Sequence, residues 1–567
     1  MTMRAAIAEQ AGFTAEVRAG EILHLWQRPA DPAATSRVHL READGSEHAL
    51  AGPPSSDFQL TAHQVSATGQ LAVGWNPGDT LVSVAYAFDP ARVLEDGIRP
   101  LRTTAPDTPR FRLHLAPAFG WMNDPNGLST VGGRTHAFYQ NYPHARRWDT
   151  MHWGHAASLD LVDWTHLPVF LHPRPEMLAD PARKGGAYSG SAIPRAEGGL
   201  RIFYTDREDG RPEQEWQMTA VSADLLAVGP SSTVVDRRPP LPGYGNDFRD
   251  PYVFMGPDGL WKMLMGGNDA GAALVTLYET TDPEAATGWR FVGELHREPL
   301  PRSFPAECPC LVPLEGGEGL HALIFALMSH QSQIFGADGQ KSLFNGKPNP
   351  SLALVGRFDG RRFEEIARRE LDFVGDCYAF QTFVRDGLPL GMGWAANWAD
   401  VRRNRDFPSA MTFVRRLIWR DGALLMPPVE SVAALRAAEL TGDLSRGVAL
   451  PDGLAEVAFD AGRAPFRLTL EHEDTPMALV HDGRTLELTA GRNRQRTPWA
   501  AETGPLADIR VFVDVGLIEI YADGGRWCGT RRVDSDRPVS AVRLDADPAT
   551  ITDARVWQLR PQGRAPR

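Results

Sequence analysis

Leu260-Trp261-Lys262-Met263-Leu264-Met265-Gly266-Gly267 is a short apolar run closed by paired glycines, and runs of this kind recur through the middle of the chain. HAFYQNY (His136–Tyr142), LRIFYTD (Leu200–Asp206), YVFMG (Tyr252–Gly256), HALIFALM (His321–Met328) and LALVGRF (Leu352–Phe358) share its length and character. From about Leu113 to Arg420 such runs alternate with clusters of Gly, Pro, Asp and Asn, and helical periodicity is scarce, so the region reads as many short strands joined by turns. Strands at this spacing suit a sandwich, a barrel or a propeller, and periodicity does not choose among them. No internal repeat is visible at the level of residues.

Outward from this region, MPPVESVAALRAA (Met426–Ala438) sets paired prolines before a short helical stretch and reads as a linker. Beyond it, Phe466–Glu471 and the alternating IRVFVDVGLIEIYA (Ile509–Ala522) read as strands of a second β domain. The first hundred residues also read as short strands, best at Leu71–Trp75 and Leu81–Phe88, with Pro106–Pro109 as the joint to the central region. The expected division is therefore an extra β-rich segment over 1–105, a large β domain over 110–425, a linker over 426–440 and a β domain over 441–567.

A chain of 567 residues exceeds one ordinary core, which agrees with several domains. Its net charge of −12 disfavours nucleic acid and anionic lipid, since the arginine-rich stretches, such as Arg361, Arg362, Arg368 and Arg369, alternate with acids. An uncharged small molecule is the better partner, and the oligomeric state is left open, a homo-oligomer included. No apolar run could span a bilayer, and the N-terminal stretch is interrupted by Glu9, Glu16 and Glu21 before any signal-like core forms. The 4 cysteines, Cys308, Cys310, Cys377 and Cys528, make no disulfide framework, so a cytoplasmic location is expected.

Three acids stand in settings that suit chemistry. Asp124 lies in Trp121-Met122-Asn123-Asp124-Pro125-Asn126-Gly127, which read alone is a tight turn, but which also sets an apolar floor beside a carboxylate, as a sugar site requires. Asp250 follows Arg249, whose charge keeps it ionised and in place, although a surface ion pair at a loop start reads the same way. Glu307 precedes Cys308 and Pro309, a small thiol and a rigid ring that favour a desolvated general acid. Glycoside cleavage needs two carboxyl groups flanking the bond, and three acids in order along one β-rich region meet that need.

At these residues the chain resembles glycoside hydrolase family 32, the family of invertases, levanases, inulinases and fructan-synthesising relatives. WMNDPNG, Arg249-Asp250-Pro251 and Glu307-Cys308-Pro309 match that family's nucleophile, transition-state-stabiliser and acid/base motifs. Phe138-Tyr139-Gln140-Asn141, His152-Trp153-Gly154-His155 and Ser189-Gly190-Ser191-Ala192 look like its intervening blocks. LDFVGDCYAFQTF and GWAANW, with Asp376, Tyr378, Gln381, Trp394 and Trp398, look like its last propeller block. The resemblance implies an all-β fold, a five-bladed β-propeller catalytic domain followed by a C-terminal β-sandwich. It implies a retaining β-fructosidase (β-fructofuranosidase) acting on sucrose and short fructooligosaccharides, with Asp124 as nucleophile, Glu307 as acid/base and Asp250 as stabiliser, and with no cofactor and no metal. Asn123, Gln140, Ser189, Ser191 and Arg249 are the implied fructose contacts, and Trp121, Trp148, Trp153, Tyr188, Tyr378 and Trp394 the implied walls.

The chain departs from that pattern in three places. Tyr188 stands where sucrose-cleaving members usually carry Trp, a position that in relatives influences hydrolysis against fructosyl transfer, so transfructosylation is expected to compete. Pro305-Ala306 replace the aromatic before Glu307, and Cys310 replaces an Asp after it. About a hundred extra residues precede the propeller, with packing, oligomerisation and occlusion of the funnel all open as roles. The other readings are an exo-levanase or inulinase, a five-bladed arabinanase or xylosidase, and a non-catalytic fructan-binding protein. Sucrose 6-phosphate would want a basic pocket, for which Arg146, Arg147 and Lys184 are the only hints. Zinc at His152 and His155, or at Cys308 and Cys310, is disfavoured because neither pair has metal spacing or a second pair of ligands.

Overall fold

The short runs are strands, and in the central region they assemble into five successive sheets. The computed structural model describes residues 11–104, 111–210, 214–235, 238–299, 304–328, 349–401, 405–491, 499–535 and 537–563, so Pro106–Pro109 lies outside the described residues. Blades I to IV are four-stranded and antiparallel, with strands in chain order. They begin at Trp121–Val131, Gly185–Pro194, Phe248–Met255 and Ala306–Pro313. Blade V begins at Tyr378–Arg385 and is a three-stranded sheet whose last strand is only Arg415–Arg416. The first strand of each blade contacts the first strand of the next, and that of blade V contacts that of blade I, so the five close into a propeller ring.

Small residues let strands approach closely, both within a blade and between blades. A Cβ on Gly190 would lie 1.9 Å from the Phe203 carbonyl oxygen, and one on Gly266 would lie 2.1 Å from that of Ala306, where blades III and IV meet. Gln381 on blade V accepts from the Leu128 N–H of blade I at 3.1 Å and donates to the Gly190 carbonyl of blade II at 2.9 Å. One amide thereby joins three blades at the closure of the ring.

The five blades share a device that the residue-level sequence conceals. In each, the pairing of first and second strands slips so that two residues face one. The doubled residues are Asn123-Asp124, Tyr188-Ser189, Asp250-Pro251, Cys308-Pro309 and Ala379-Phe380. Such a bulge bends the strand and re-aims its side chains. Asp250, Cys308 and Ala379 take positive φ angles of 65°, 49° and 50° there, conformations uncommon outside glycine.

Residues 11–102 form a sandwich of two four-stranded sheets around Leu23, Leu25, Val38, Leu40, Leu71, Val73 and Val82. Its strands include Gly69–Trp75 and Thr80–Phe88, where the sequence reading placed its best cases. Trp26, Val84, Tyr86 and Phe88 pack against Phe119, Ala157, Leu167 and Val169, docking this sandwich on blade I.

The C-terminal domain is a sandwich of two six-stranded sheets. Of the expected linker, Glu430–Leu435 is a 3-10 turn anchored by buried Val432 and Leu435. Arg436–Glu439 is already a strand of the sandwich, paired with Thr552–Leu559, and Arg436 is also held to Glu456 at 2.7 Å, so the connection is shorter than the sequence suggests.

Candidate active site

Each bulge sits near the start of its blade's inner strand, and the three acids of the sequence reading are brought together there from blades I, III and IV. Cys308 touches two of them: its Sγ lies 3.6 Å from Asp124 Oδ2 and 3.6 Å from Asp250 Oδ2, and its N–H donates to Asp250 Oδ2 at 2.8 Å. Glu307 is the residue before it. Glu307 Oε1 accepts from Arg249 Nη2 at 2.7 Å and Nε at 3.1 Å, while Oε2 accepts from the Tyr378 hydroxyl. Arg249 is thus bidentate on the acid/base candidate, and its Nη1 also donates to Glu215 at 2.8 Å and Asp247 at 2.6 Å.

Asp124 Oδ2 accepts from Ser189 Oγ at 2.7 Å, whereas Oδ1 is shielded and has no hydrogen-bond partner. Burial, and then the charge of Glu307, raise the Asp124 pKa, with the Ser189 hydrogen bond acting against them. Asp250 is also raised, first by burial and then by Glu307 and Asp124, against the opposing charge of Arg249. Its N–H donates to Thr205 Oγ1 at 3.0 Å, which fixes the left-handed turn that aims the carboxyl.

Trp121, Tyr378, Trp394 and Cys308 form one apolar cluster with Trp148 and Tyr188 packed on it, and the Tyr378 hydroxyl reaches Glu307. The Trp121 indole donates to Asn123 Oδ1 at 2.6 Å, linking floor to motif. The Tyr188 ring lies 5.2 Å from the Arg207 guanidinium. Trp153 differs: it belongs to a separate cluster with Phe138, Phe170 and Tyr204, and its indole N–H donates to the Tyr188 carbonyl at 3.0 Å. Ser191 is likewise committed, donating to the Pro251 carbonyl at 2.8 Å and accepting from the Val253 N–H at 2.9 Å. Gln140 donates to the Ala187 carbonyl at 2.9 Å. These three brace the bulges.

Of the basic hints, Lys184 lies 3.0 Å and Arg147 4.0 Å from Asp149. His152 packs on Trp26 while His155 faces His136 at 3.0 Å, as two residues three apart on a strand must face opposite ways. Sequence reading missed Glu215 and Thr205, which carry no motif and meet Arg249 and Asp250 only from the neighbouring blade, and it missed Asp247, a local partner of Arg249 just ahead of the Arg249-Asp250-Pro251 motif.

The family described as "Glycosyl hydrolases family 32 N-terminal domain" matches residues 114–428. The chain is 32% identical over 479 residues to a sucrose-6-phosphate hydrolase of Klebsiella pneumoniae, covering 79% of this chain and 93% of that protein. It is 33% identical over 337 residues to a raffinose invertase of Escherichia coli, covering 57% of this chain and 65% of that one. Among solved structures, a glycoside hydrolase family 32 protein from Bifidobacterium adolescentis superposes over 97% of this chain and 99% of its own, with TM-score 0.84 and 23% identity. That span takes in the N-terminal sandwich. The β-fructofuranosidase of Bombyx mori follows with TM-score 0.66 and 26% identity, over 80% of this chain and 95% of its own.

Proposed function

The chain belongs to glycoside hydrolase family 32 and is a hydrolase of fructosides, and from that premise we propose that it is a retaining β-fructosidase of sucrose and short fructooligosaccharides. Asp124 attacks the anomeric C2 through Oδ1, the oxygen left without a partner. Glu307 gives its proton to the departing oxygen, so the C2–O bond breaks as the C2–Asp124 ester forms. Glu307 then takes a proton from the incoming water, which releases fructose and restores Asp124. Asp250 accepts hydrogen bonds from fructose hydroxyls that strengthen as positive charge grows on the ring.

The observation that carries this reading is the junction at Cys308, which holds Asp124 and Asp250 together beside Glu307, with Arg249 and Tyr378 orienting the acid/base. The half-buried Tyr188 supports a share of transfer to sugar acceptors in competition with water. The test is product analysis on sucrose and 1-kestose in water and in aqueous methanol. Free fructose in water and methyl β-fructofuranoside in methanol are expected, with Asp124→Asn and Glu307→Gln lowering turnover by about a thousandfold or more. The α-methyl product would replace the covalent intermediate by direct displacement, and binding without turnover in the unsubstituted protein would leave only a binding role.

A further inference from the structure

The N-terminal sandwich carries a cluster that the fructoside chemistry does not use. Glu42 ends the hairpin arm that begins with Ser36–Arg41, His48 lies on the returning strand Glu47–Gly52, and His63 lies on Gln59–Gln64 of the opposite sheet. His63 Nε2 is 2.8 Å and His48 Nε2 3.5 Å from the same Glu42 Oε1, and the three atoms lie within 4.8 Å of one another. The two imidazole rings are 4.5 Å apart.

Three features distinguish this group from an ordinary ion pair. Glu42 is buried, and its other oxygen, Oε2, accepts from the Ser66 N–H at 2.8 Å, the Ser66 hydroxyl at 2.7 Å and the Ala67 N–H at 2.7 Å. Those bonds fix the carboxylate plane and turn Oε1 towards the histidines, the kind of support that orients metal ligands. His48 Nε2 is shielded from solvent yet makes no hydrogen bond. The side chain of His48 is nevertheless 39% exposed, which leaves an entry path and room for water as a further ligand.

We propose that Glu42, His48 and His63 form a binding site for a divalent transition-metal ion of the zinc type. Two imidazole nitrogens and one carboxylate oxygen, completed by water, are a donor set that suits zinc, with tetrahedral distances of about 2.0–2.2 Å. The ion sits between Glu42 Oε1 and the two imidazoles, each binding through an unprotonated Nε2 with the ring proton on Nδ1. Because His63 belongs to one sheet and Glu42 and His48 to the other, the ion staples the two sheets at one end of the sandwich.

The experiment uses the full chain, stripped with chelator and titrated with Co²⁺ as the visible probe and Zn²⁺ as competitor. One saturable equivalent of Co²⁺ with visible absorption bands, displaced by Zn²⁺, is expected, along with a raised unfolding midpoint in Zn²⁺. His48→Gln, which removes no hydrogen bond, should weaken the site by roughly tenfold or more while the metal-free protein keeps its stability; His63→Gln should do likewise to the affinity. Absence of a saturable equivalent, or its persistence in both variants, would overturn the proposal.

Discussion

Ser189 donates its hydroxyl to Asp124 Oδ2 from the neighbouring blade. Because burial and Glu307 raise the Asp124 pKa and Ser189 opposes them, removing the hydroxyl should raise it further. The nucleophile must be ionised, so Ser189→Ala should move the acid limb of kcat/KM to higher pH. It should also lower kcat/KM by about tenfold, as expected for loss of a hydrogen bond to a charged group worth about 1.5 kcal/mol. An unmoved acid limb would show that Ser189 does not tune the nucleophile. At this scale the sequence was legible where chemistry and motif coincide, as at Asp124, Asp250 and Glu307. It was not legible at Glu215, which lies in EWQMTAVS and becomes a partner of Arg249 only when blades II and III meet. Trp153 shows the converse: a family block identifies the residue, but only packing shows that its ring lies within the blade core.

The recurring bulge places the chemistry on elements rather than on loops. A doubled pair near the start of every inner strand bends that strand and re-aims its side chains, and Asp124, Ser189, Asp250 and Cys308 converge from four of the bulges. The short apolar and alternating runs made the strands legible, whereas the bulges were not, because no residue type is common to all five of Asn-Asp, Tyr-Ser, Asp-Pro, Cys-Pro and Ala-Phe. The repeat therefore exists in hydrogen-bond register and not in sequence. Close approach of blades III and IV makes a prediction at this scale. Gly266→Ala places a Cβ against the carbonyl oxygen of Ala306, the residue preceding Glu307. Blade IV must shift to relieve the contact, so stability should fall by about 1–3 kcal/mol, the usual range for overpacking, and turnover should fall with it. Gly271→Ala, where nothing lies within 4 Å, should leave both unchanged. Urea unfolding and fructose release on the two variants make the comparison, and equal behaviour would remove the argument that blade spacing sets the position of the acid/base.

Across the whole molecule, the C-terminal sandwich fastens the ring where it closes. Asp514 accepts from the backbone N–H groups of Leu113 and His114 at 2.8 and 3.2 Å, just ahead of blade I. Glu519 accepts from the Phe413 N–H at 2.6 Å and from Arg415 Nη2 at 2.7 Å, in blade V. His114 lies between the two acids, 2.9 Å from each. Burial alone would lower its pKa, but hydrogen bonds and charge from Asp514 and Glu519 raise it to about 9. Stability from this group is therefore complete below its unfolded value near 6.5 and lost as pH rises through about 9. The opposite sign holds at His24, His136, His166 and His172, which burial lowers to about 4, and at His144, lowered to about 3. Several of these lie where the N-terminal sandwich meets blade I, with Trp26 packed on His144, His152 and His172. The unfolded chain binds protons at these sites first, so stability falls as pH drops from about 6.5 towards 4. The unfolding midpoint should accordingly peak near neutral pH, falling by roughly 2–4 °C per pH unit on the acid side and more shallowly on the alkaline side. The two limbs are separable: His114→Gln should lower the midpoint near neutrality and flatten the alkaline limb while leaving the acid limb in place. An alkaline slope that survives this substitution would show that ring closure does not depend on the charge at His114.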